Sequence, residues 1–348
     1  MPREIHRNSA LRRLSINTFS PFTTLKRITS MNLQHTATQE IIAVDKQGQQ
    51  VLFLDPGDLS VRAAITGLPT RPHELLVLEK QRKAYVPIYG DGIHGDNPNP
   101  NHQVAVIDLD TRTLTGFIDT LPYVSPHTGR LGRDGRVYLC CEDSSTILVI
   151  DPDQDKVVGH IEVPSSNIHR LTPLPHADQL WAESEEDGQL YAIDVHNGTG
   201  QLAATLTMPG PVNGIDASPL HPWVIASAAD RPVIYAVDTE QRRVLRTVEL
   251  PGHRRQGQVV RFSPDGRLLA VLGDFEPVVS FYDENLKWLF NAELGDKPLD
   301  GCFSPAQDYL LVANENDATI SVIDILNRKT LGHVPVGQGC EILAYFQR

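Results

Sequence analysis

The chain has 348 residues, of which 41% are hydrophobic, and it carries a formal net charge of −12 at pH 7. This length suits one large all-β domain or two ordinary domains, and no apolar stretch approaches the ~20 residues that span a bilayer. Because an acidic surface repels phosphate groups, we expect neither nucleic acid nor a membrane as a partner.

Residues 1–32 are rich in Arg, Ser and Thr and show no sustained periodicity. They predict a disordered N-terminal extension, followed by a single domain over 33–348. An organelle transit peptide and a translation start at Met31 are alternatives for this segment. The four cysteines form no CxxC pair, which favours reduced thiols and a cytoplasmic protein.

Seven segments of the chain share one pattern, an alternating β-branched run that ends in aspartate, as in "STILVIDPDQ" and "ATISVIDILN". The shared residues are Asp55, Asp108, Asp151, Asp194, Asp238, Asp283 and Asp324, and successive ones are 41 to 53 residues apart. Such a period indicates a repeat fold. We expect each aspartate to accept hydrogen bonds in the turn that follows its strand.

Each repeat also contains two strands before this segment and one after it, which makes the four strands of a propeller blade. The first repeat lacks its first strand, and the C-terminal segment "CEILAYF" supplies a spare one. The sequence therefore predicts an all-β, seven-bladed β-propeller whose ring is closed by the C-terminal strand joining the N-terminal blade. A closed propeller needs no partner to complete its core, so the oligomeric state is left open.

The segments "ISVIDILNRKTLGHVPVG" and "LVIDPDQDKVVGHIEVP" resemble the YVTN repeat of YncE-like propellers, which are near the seven-bladed lactonase-type propellers. The resemblance extends over residues 34–346. It implies the propeller fold but not one function, because such propellers include enzymes, dehydrogenase subunits and binding proteins.

Aligning the blades on their turns gives one position per blade at the mouth of the central channel. These positions are Cys340, His73, His127, His169, Asn213 or Gly214, Gln258 and Asp300. Three histidines at equivalent positions of consecutive blades would direct their imidazoles at one axis. Because neutral imidazole is a common ligand of transition metals, His73, His127 and His169 predict a site for a divalent ion such as Zn, Mn or Fe. Gln258, Asp300 and Cys340 are candidates for the fourth ligand or for outer contacts.

The second blade contains an insertion, "YGDGIHGDNPNPNHQ", between its second and third strands. A loop at this place opens on the same face as the predicted histidines, so residues 89–102 should overhang them. The candidates for catalysis or substrate contact are His94 in this loop and Glu142, Glu185, Arg170 and Arg231 on that face.

These residues predict a metal-dependent enzyme, a hydrolase, lyase or isomerase, that acts on a small polar, anionic organic molecule. This prediction also draws on the analogy with other propellers that bind metal on their axis through histidines. Two alternatives are a redox metalloenzyme on the same ligands and a non-catalytic propeller that binds protein. The sequence contains no GxSxG, P-loop, GxGxxG or HExxH motif.

Overall fold

Seven four-stranded antiparallel sheets are arranged around a central channel as the blades of a propeller. The computed structural model describes residue 33 and residues 35–348, so the predicted N-terminal extension lies outside the described residues. In that described part, no helix is long and apolar enough to cross a membrane. The prediction of an all-β, seven-bladed ring is confirmed.

The strands follow the chain from the channel outwards in each blade, except in blade 1. Blade 1 contains β1 (Gln39–Asp45), β2 (Gln50–Leu54), β3 (Val61–Thr66) and, innermost, β28 (Cys340–Gln347). Blade 2 contains β4 (Leu76–Leu78), β5 (Lys83–Gly90), β6 (Pro100–Asp108) and β7 (Thr113–Asp119). Blade 3 contains β8 (Pro126–Leu131), β9 (Val137–Cys141), β10 (Thr146–Asp151) and β11 (Lys156–Glu162), with a short 3₁₀ helix (Glu142–Ser144) after β9.

The other four blades follow the same order. Blade 4 contains β12 (Arg170–Pro173), β13 (Gln179–Ser184), β14 (Gln189–His196) and β15 (Thr199–Thr207). Blade 5 contains β16 (Val212–Ala217), β17 (Trp223–Ala228), β18 (Val233–Asp238) and β19 (Arg243–Glu249). Blade 6 contains β20 (Gly257–Phe262), β21 (Leu268–Gly273), β22 (Val278–Asp283) and β23 (Trp288–Glu293). Blade 7 contains β24 (Pro298–Phe303), β25 (Tyr309–Asn314), β26 (Thr319–Asp324) and β27 (Lys329–Pro335).

The hydrophobic core is divided among the contacts between neighbouring blades. The second and third strands of each blade are buried on both faces, whereas the outer strands alternate between exposed and partly buried residues. A cluster around Phe53, Val86 and Phe346 joins blades 1 and 2, and further clusters fill the other contacts around the ring. Because every blade packs on two others, the ring is rigid around its axis.

The repeated aspartates stabilise turns, as the sequence predicts. Asp55, for example, accepts a hydrogen bond at 2.7 Å from the backbone N–H of Gly57, and Asp108 accepts one at 2.7 Å from that of Thr111. Asp194 differs, because β14 continues to His196 and the carboxylate accepts a hydrogen bond from the side chain of Gln179 instead.

A β-bulge interrupts the pairing of five innermost strands with their neighbours, near the start of each. The bulges contain His127, Gly214, Gln258, Asp300 and Glu341. A bulge places an extra residue opposite one partner residue and redirects its side chain. Two of these residues, His127 and Glu341, belong to the site described below.

Candidate metal centre

Four imidazole rings form a continuous row at one mouth of the channel. The ring centroids of His73 and His127 are 4.3 Å apart, and those of His127 and His169 are 4.4 Å apart. His94 extends the row, since its ring centroid is 4.3 Å from that of His169. The insertion in blade 2, whose loop covers residues 91–99 in the structure, therefore overhangs the mouth and adds a fourth imidazole.

Backbone contacts fix the three histidines of the innermost segments. The N–H of His73 donates to the carbonyl oxygen of Pro87 at 2.8 Å, and that of His169 donates to the carbonyl oxygen of Glu183 at 3.1 Å. His127 lies in the bulge of β8, between the paired residues Pro126 and Gly129. The rings thus reach the axis from three neighbouring blades.

Polar side chains contact the Nδ1 atoms of the same three rings. The Nδ1 of His73 lies 2.7 Å from Glu341 Oε2, and that of His169 lies 3.0 Å from Glu183 Oε1. The Nδ1 of His127 lies 3.0 Å from the hydroxyl of Thr128. Such outer contacts orient metal-binding histidines, and the Nε2 atoms of His73 and His127 form a hydrogen bond with each other at 2.6 Å.

Glu142 lies behind the row and is fully buried. Its Oε1 accepts hydrogen bonds from the hydroxyl of Tyr89 at 2.9 Å and from the amide of Asn167 at 3.0 Å, and it lies 2.7 Å from His94 Nδ1. Burial opposes its ionisation, but the hydrogen bond from His94 and the charges of His169 and His94 lower the pKa of Glu142 to about 2. Its Oε2 is buried and has no hydrogen-bond partner, which is costly for a carboxylate unless a cation is bound.

Two further carboxylates face the outer nitrogen of His94. The Nε2 of this ring lies 2.8 Å from Glu186 Oε1 and 3.4 Å from Glu185 Oε2. Burial would lower the pKa of His94, but its contacts with Glu142 and the charges of Glu185 and Glu186 raise it to about 9. Burial and the nearby charge of Glu183 raise the pKa of Glu185. This raised pKa favours the positively charged form of His94 at neutral pH.

The residues fit a metal ion by chemistry, and two groups of them bring their ligand atoms near one another. Two groups each offer three ligand atoms that lie within 4.8 Å of one another. One contains His127, His169 and Glu142, and the other contains His94, His169 and Glu185. Imidazole and carboxylate ligands suit Zn, Mn and Fe. Burial and the neighbouring imidazoles and Arg170 lower the pKa of His127 well below its ordinary value, and a neutral imidazole is the form that binds metal.

A cluster of buried charges lies next to the histidines along the channel. Glu74 is 3.7 Å from the Nε of Arg170 and 3.7 Å from the Nη1 of Arg130. Burial by itself would raise the pKa of Glu74, but the charges of Arg170, Arg130 and Arg261 lower it to about 2. Arg170, a predicted catalytic residue, is therefore close to the histidines, and its guanidinium faces Glu74.

Two of the other predicted metal ligands, Asp300 and Cys340, make contacts away from the histidines. Asp300 forms an ion pair with Arg261, with 3.0 Å between its Oδ1 and the arginine Nε. Gln258 lies in the bulge of β20, and its Oε1 is buried without a hydrogen-bond partner. Cys340 is fully buried in the core between blades 7 and 1, where its thiol donates to the carbonyl oxygen of Val336.

The predicted catalytic residues also divide into two sets. His94, Glu142 and Glu185 lie within the row of imidazoles and its carboxylates. Arg231 does not, since it is half-exposed, contacts Asp230 at 3.1 Å and donates to the carbonyl oxygen of Pro209.

Sequence reasoning missed Glu341, Glu186 and Asn167. The bulge of β28 follows the pairing of Cys340 with Asp45, so Glu341, one residue further, contacts His73. For Glu186, its position next to the acidic residue Glu185 was a signal in the sequence that could have been used. No local pattern marks Asn167, because its contact with Glu142 crosses from one blade to the next.

Comparisons with known proteins support the fold. No protein-family model matches this sequence, and no curated protein matches it. A periplasmic gluconolactonase from Pseudomonas aeruginosa superposes with a TM-score of 0.71 at 20% identity, covering 88% of this chain and 99% of its own. A functionally unknown protein from Desulfotomaculum acetoxidans gives 0.74 at 12% identity, covering 88% of this chain and 99% of its own. A dihydro-heme d1 dehydrogenase gives 0.62 at 12% identity, covering 90% of this chain and 76% of its own. At these identities the likeness shows the propeller fold alone.

Proposed function

We propose that this protein is a metal-dependent enzyme that acts on a small polar, anionic organic molecule at the mouth formed by the histidines. The observation that carries the proposal is the row of four imidazoles beside Glu142, whose Oε2 is buried without a partner. In a purely structural site we would expect this oxygen to have a hydrogen-bond partner, because an unsatisfied buried carboxylate lowers stability.

His127, His169 and Glu142 would hold the ion, since their ligand atoms lie within 4.8 Å of one another. When bound, a divalent ion supplies a Lewis acid for a carbonyl or carboxylate oxygen and lowers the pKa of water. Neighbouring side chains contact these ligands and orient them. Glu183 Oε1 lies 3.0 Å from the Nδ1 of His169, and Asn167 fixes the carboxylate of Glu142 through its amide.

Glu185 is the group best suited to move a proton. Its side chain is partly exposed at the mouth. The burial of the rest of the side chain raises its pKa, so the carboxylate is a stronger base than that of an ordinary glutamate. The charges of Arg255, Lys297 and Arg170 act on the partly buried carboxyl group of Asp274 and oppose the rise in its pKa that burial causes. These positive charges suit an anionic substrate that reaches across the channel.

Lactone hydrolysis is the first reaction to test, because one structural neighbour is named as a gluconolactonase. Lyase and isomerase reactions also depend on a polarised carbonyl. They are the next reactions to test in the same series of assays. The redox alternative predicts iron or copper with a changing EPR signal, and the protein-binding alternative predicts a metal-free channel. We also propose a cytoplasmic location, in keeping with the four free cysteines.

The test combines metal analysis with activity. Protein purified without a histidine tag is reconstituted with Zn²⁺, Mn²⁺ or Fe²⁺, and bound metal and hydrolysis of gluconolactone and related small lactones are measured. We expect at least one equivalent of metal in the native protein. His127→Ala should weaken metal binding by about 10-fold or more and reduce turnover by about 100-fold, because it removes a ligand.

His160→Ala is the matched control, since His160 is an exposed histidine on β11. It should leave both metal binding and turnover unchanged. Less than a tenth of an equivalent of metal after reconstitution with each of the three ions would contradict the proposal. Full turnover of an identified substrate by His127→Ala would contradict it as well.

A further inference from the structure

The row of imidazoles is too long for one ion. Its three successive centroid distances are 4.3, 4.4 and 4.3 Å, from His73 to His94. A metal with bonds of about 2 Å contacts only ligand atoms that lie within about 4 Å of one another. In the part of the chain that the structure describes, no group of three close ligand atoms contains both His127 and His94.

The two groups of ligands occupy different depths of the mouth. His127 and Glu142 of the inner group are buried, whereas His94 and Glu185 of the outer group are partly exposed. The groups share only His169. The Nδ1 of His169 faces Glu183 Oε1 at 3.0 Å, so the Nε2 is the ring nitrogen directed away from that carboxylate, and one nitrogen binds one ion at a time.

The carboxylates of the site outnumber its fixed positive charges. Glu142 and Glu183 are fully buried, and Glu341 is nearly so, while Glu185 and Glu186 face the outer nitrogen of His94. The ammonium of Lys46 lies 3.5 Å from Glu341. These five carboxylates outnumber the lysine, whose ammonium also lies 3.3 Å from Glu315, and divalent ions would balance the excess negative charge.

We propose that the mouth binds two divalent cations side by side, an inner one at His127 and Glu142 and an outer one at His94 and Glu185. His169 completes one of the two positions. At the inner position His73 is the adjacent imidazole, since its Nε2 lies 2.6 Å from that of His127. The position without His169 keeps coordination places open for water or for an oxygen of the substrate.

This inference rests on the proposed metal site and adds a second ion to it. A pair of ions about 3.5–4 Å apart holds both the attacking and the leaving oxygen of a hydrolytic reaction. The loop of blade 2 then has a specific role, which is to supply His94 as a ligand of the outer ion. The other imidazoles of the row come from the innermost segments of the blades. The substrate class that fits is a carboxylate or lactone whose oxygens bridge two cations.

The experiment titrates metal-free full-length protein with Mn²⁺ alone and measures stoichiometry by calorimetry and coupling by EPR. The native protein should bind two equivalents, and its spectrum should show two exchange-coupled Mn²⁺ ions. His94→Ala should bind one equivalent and give the spectrum of an isolated ion. Glu185→Gln, which keeps the size of the side chain, should weaken the second binding step by about 10-fold or more. His160→Ala should behave as the native protein.

The outcomes separate the two proposals. One equivalent in the native protein, with the same value in His94→Ala, overturns the second cation and leaves the single metal site intact. No binding by the native protein, with Zn²⁺ and Fe²⁺ also failing, overturns the proposed function itself. Two equivalents without magnetic coupling also overturn the inference, because the ions would then not lie side by side.

Discussion

Glu315 directly follows β25 and is one of the buried charged residues near the mouth of the channel. Its side chain is 3% exposed and lies 3.3 Å from the ammonium of Lys46, and Lys297 forms a second ion pair with it. Burial raises the pKa of Glu315, but the charges of Lys46 and Lys297 dominate and lower it from 4.5 to about 2. Its carboxylate therefore links blades 7 and 1.

We expect Glu315→Gln to lower the free energy of unfolding by about 2 kcal/mol at pH 7. The native carboxylate has a lower pKa in the folded state than in the unfolded state, so its contribution is fully present above about pH 4.5 and decreases as pH falls towards 2. Urea unfolding between pH 7 and pH 3 measures the difference between the two proteins. The difference should shrink below pH 4.5.

Glu162→Gln is the control for this prediction, because Glu162 is exposed at the end of β11. It should change the free energy of unfolding by less than about 0.5 kcal/mol at any of these pH values. A difference between Glu315→Gln and the native protein that is independent of pH would show that the ion pairs do not cause the stabilisation.

At the scale of the strands, the bulges decide which side chains reach the channel. Blade 5 has Gly214 at its bulge, with φ +82, and a Cβ there would lie 2.0 Å from the carbonyl oxygen of Gln258. This close approach lets the innermost strands of blades 5 and 6 pack together. A histidine or any other side chain at this position is excluded by the neighbouring backbone.

We expect Gly214→Ala to destabilise the protein by about 2–4 kcal/mol, because the left-handed backbone conformation and the contact with Gln258 are both unfavourable for alanine. Thermal unfolding measures the effect. Gly116→Ala is the matched control, since a Cβ at Gly116 of β7 meets no atom within 4 Å. Equal melting temperatures of the two variants would contradict the explanation.

At the scale of the whole molecule, one strand closes the ring. β28 pairs with β1 from Gln39 to Asp45 and packs against blade 7. Phe346 is buried against Phe53, with ring centroids 6.1 Å apart. Closure therefore joins residues from the two ends of the described chain and gives blade 1 its innermost strand, so that all seven blades have four strands.

Deletion of residues 340–348 should lower the melting temperature by more than about 10 °C, because it opens the ring and exposes several large apolar side chains. Calorimetry or circular dichroism measures the change. Removal of Arg348 alone should shift the melting temperature by less than about 2 °C, since this residue lies beyond the strand. An unchanged melting curve after the longer deletion would mean that β28 does not hold the ring together.

The sequence determined the architecture, because a blade is a local pattern of alternating apolar residues and turns that repeats along the chain. The seven aspartates and the spare C-terminal segment were sufficient to predict seven blades and their closure. The same alignment placed His73, His127 and His169 on three neighbouring blades, and the length of the insertion in blade 2 placed His94 above them.

Only the tertiary structure decided which groups surround those histidines. The bulge in β28 shifts the side chains by one residue, so Glu341 contacts His73 and Cys340 lies in the core. Glu142 contacts His94 from another blade, and no repeat pattern records that contact. The physical reason is that strand periodicity reports which face of a strand is buried, whereas bulges and contacts between blades depend on the closed ring.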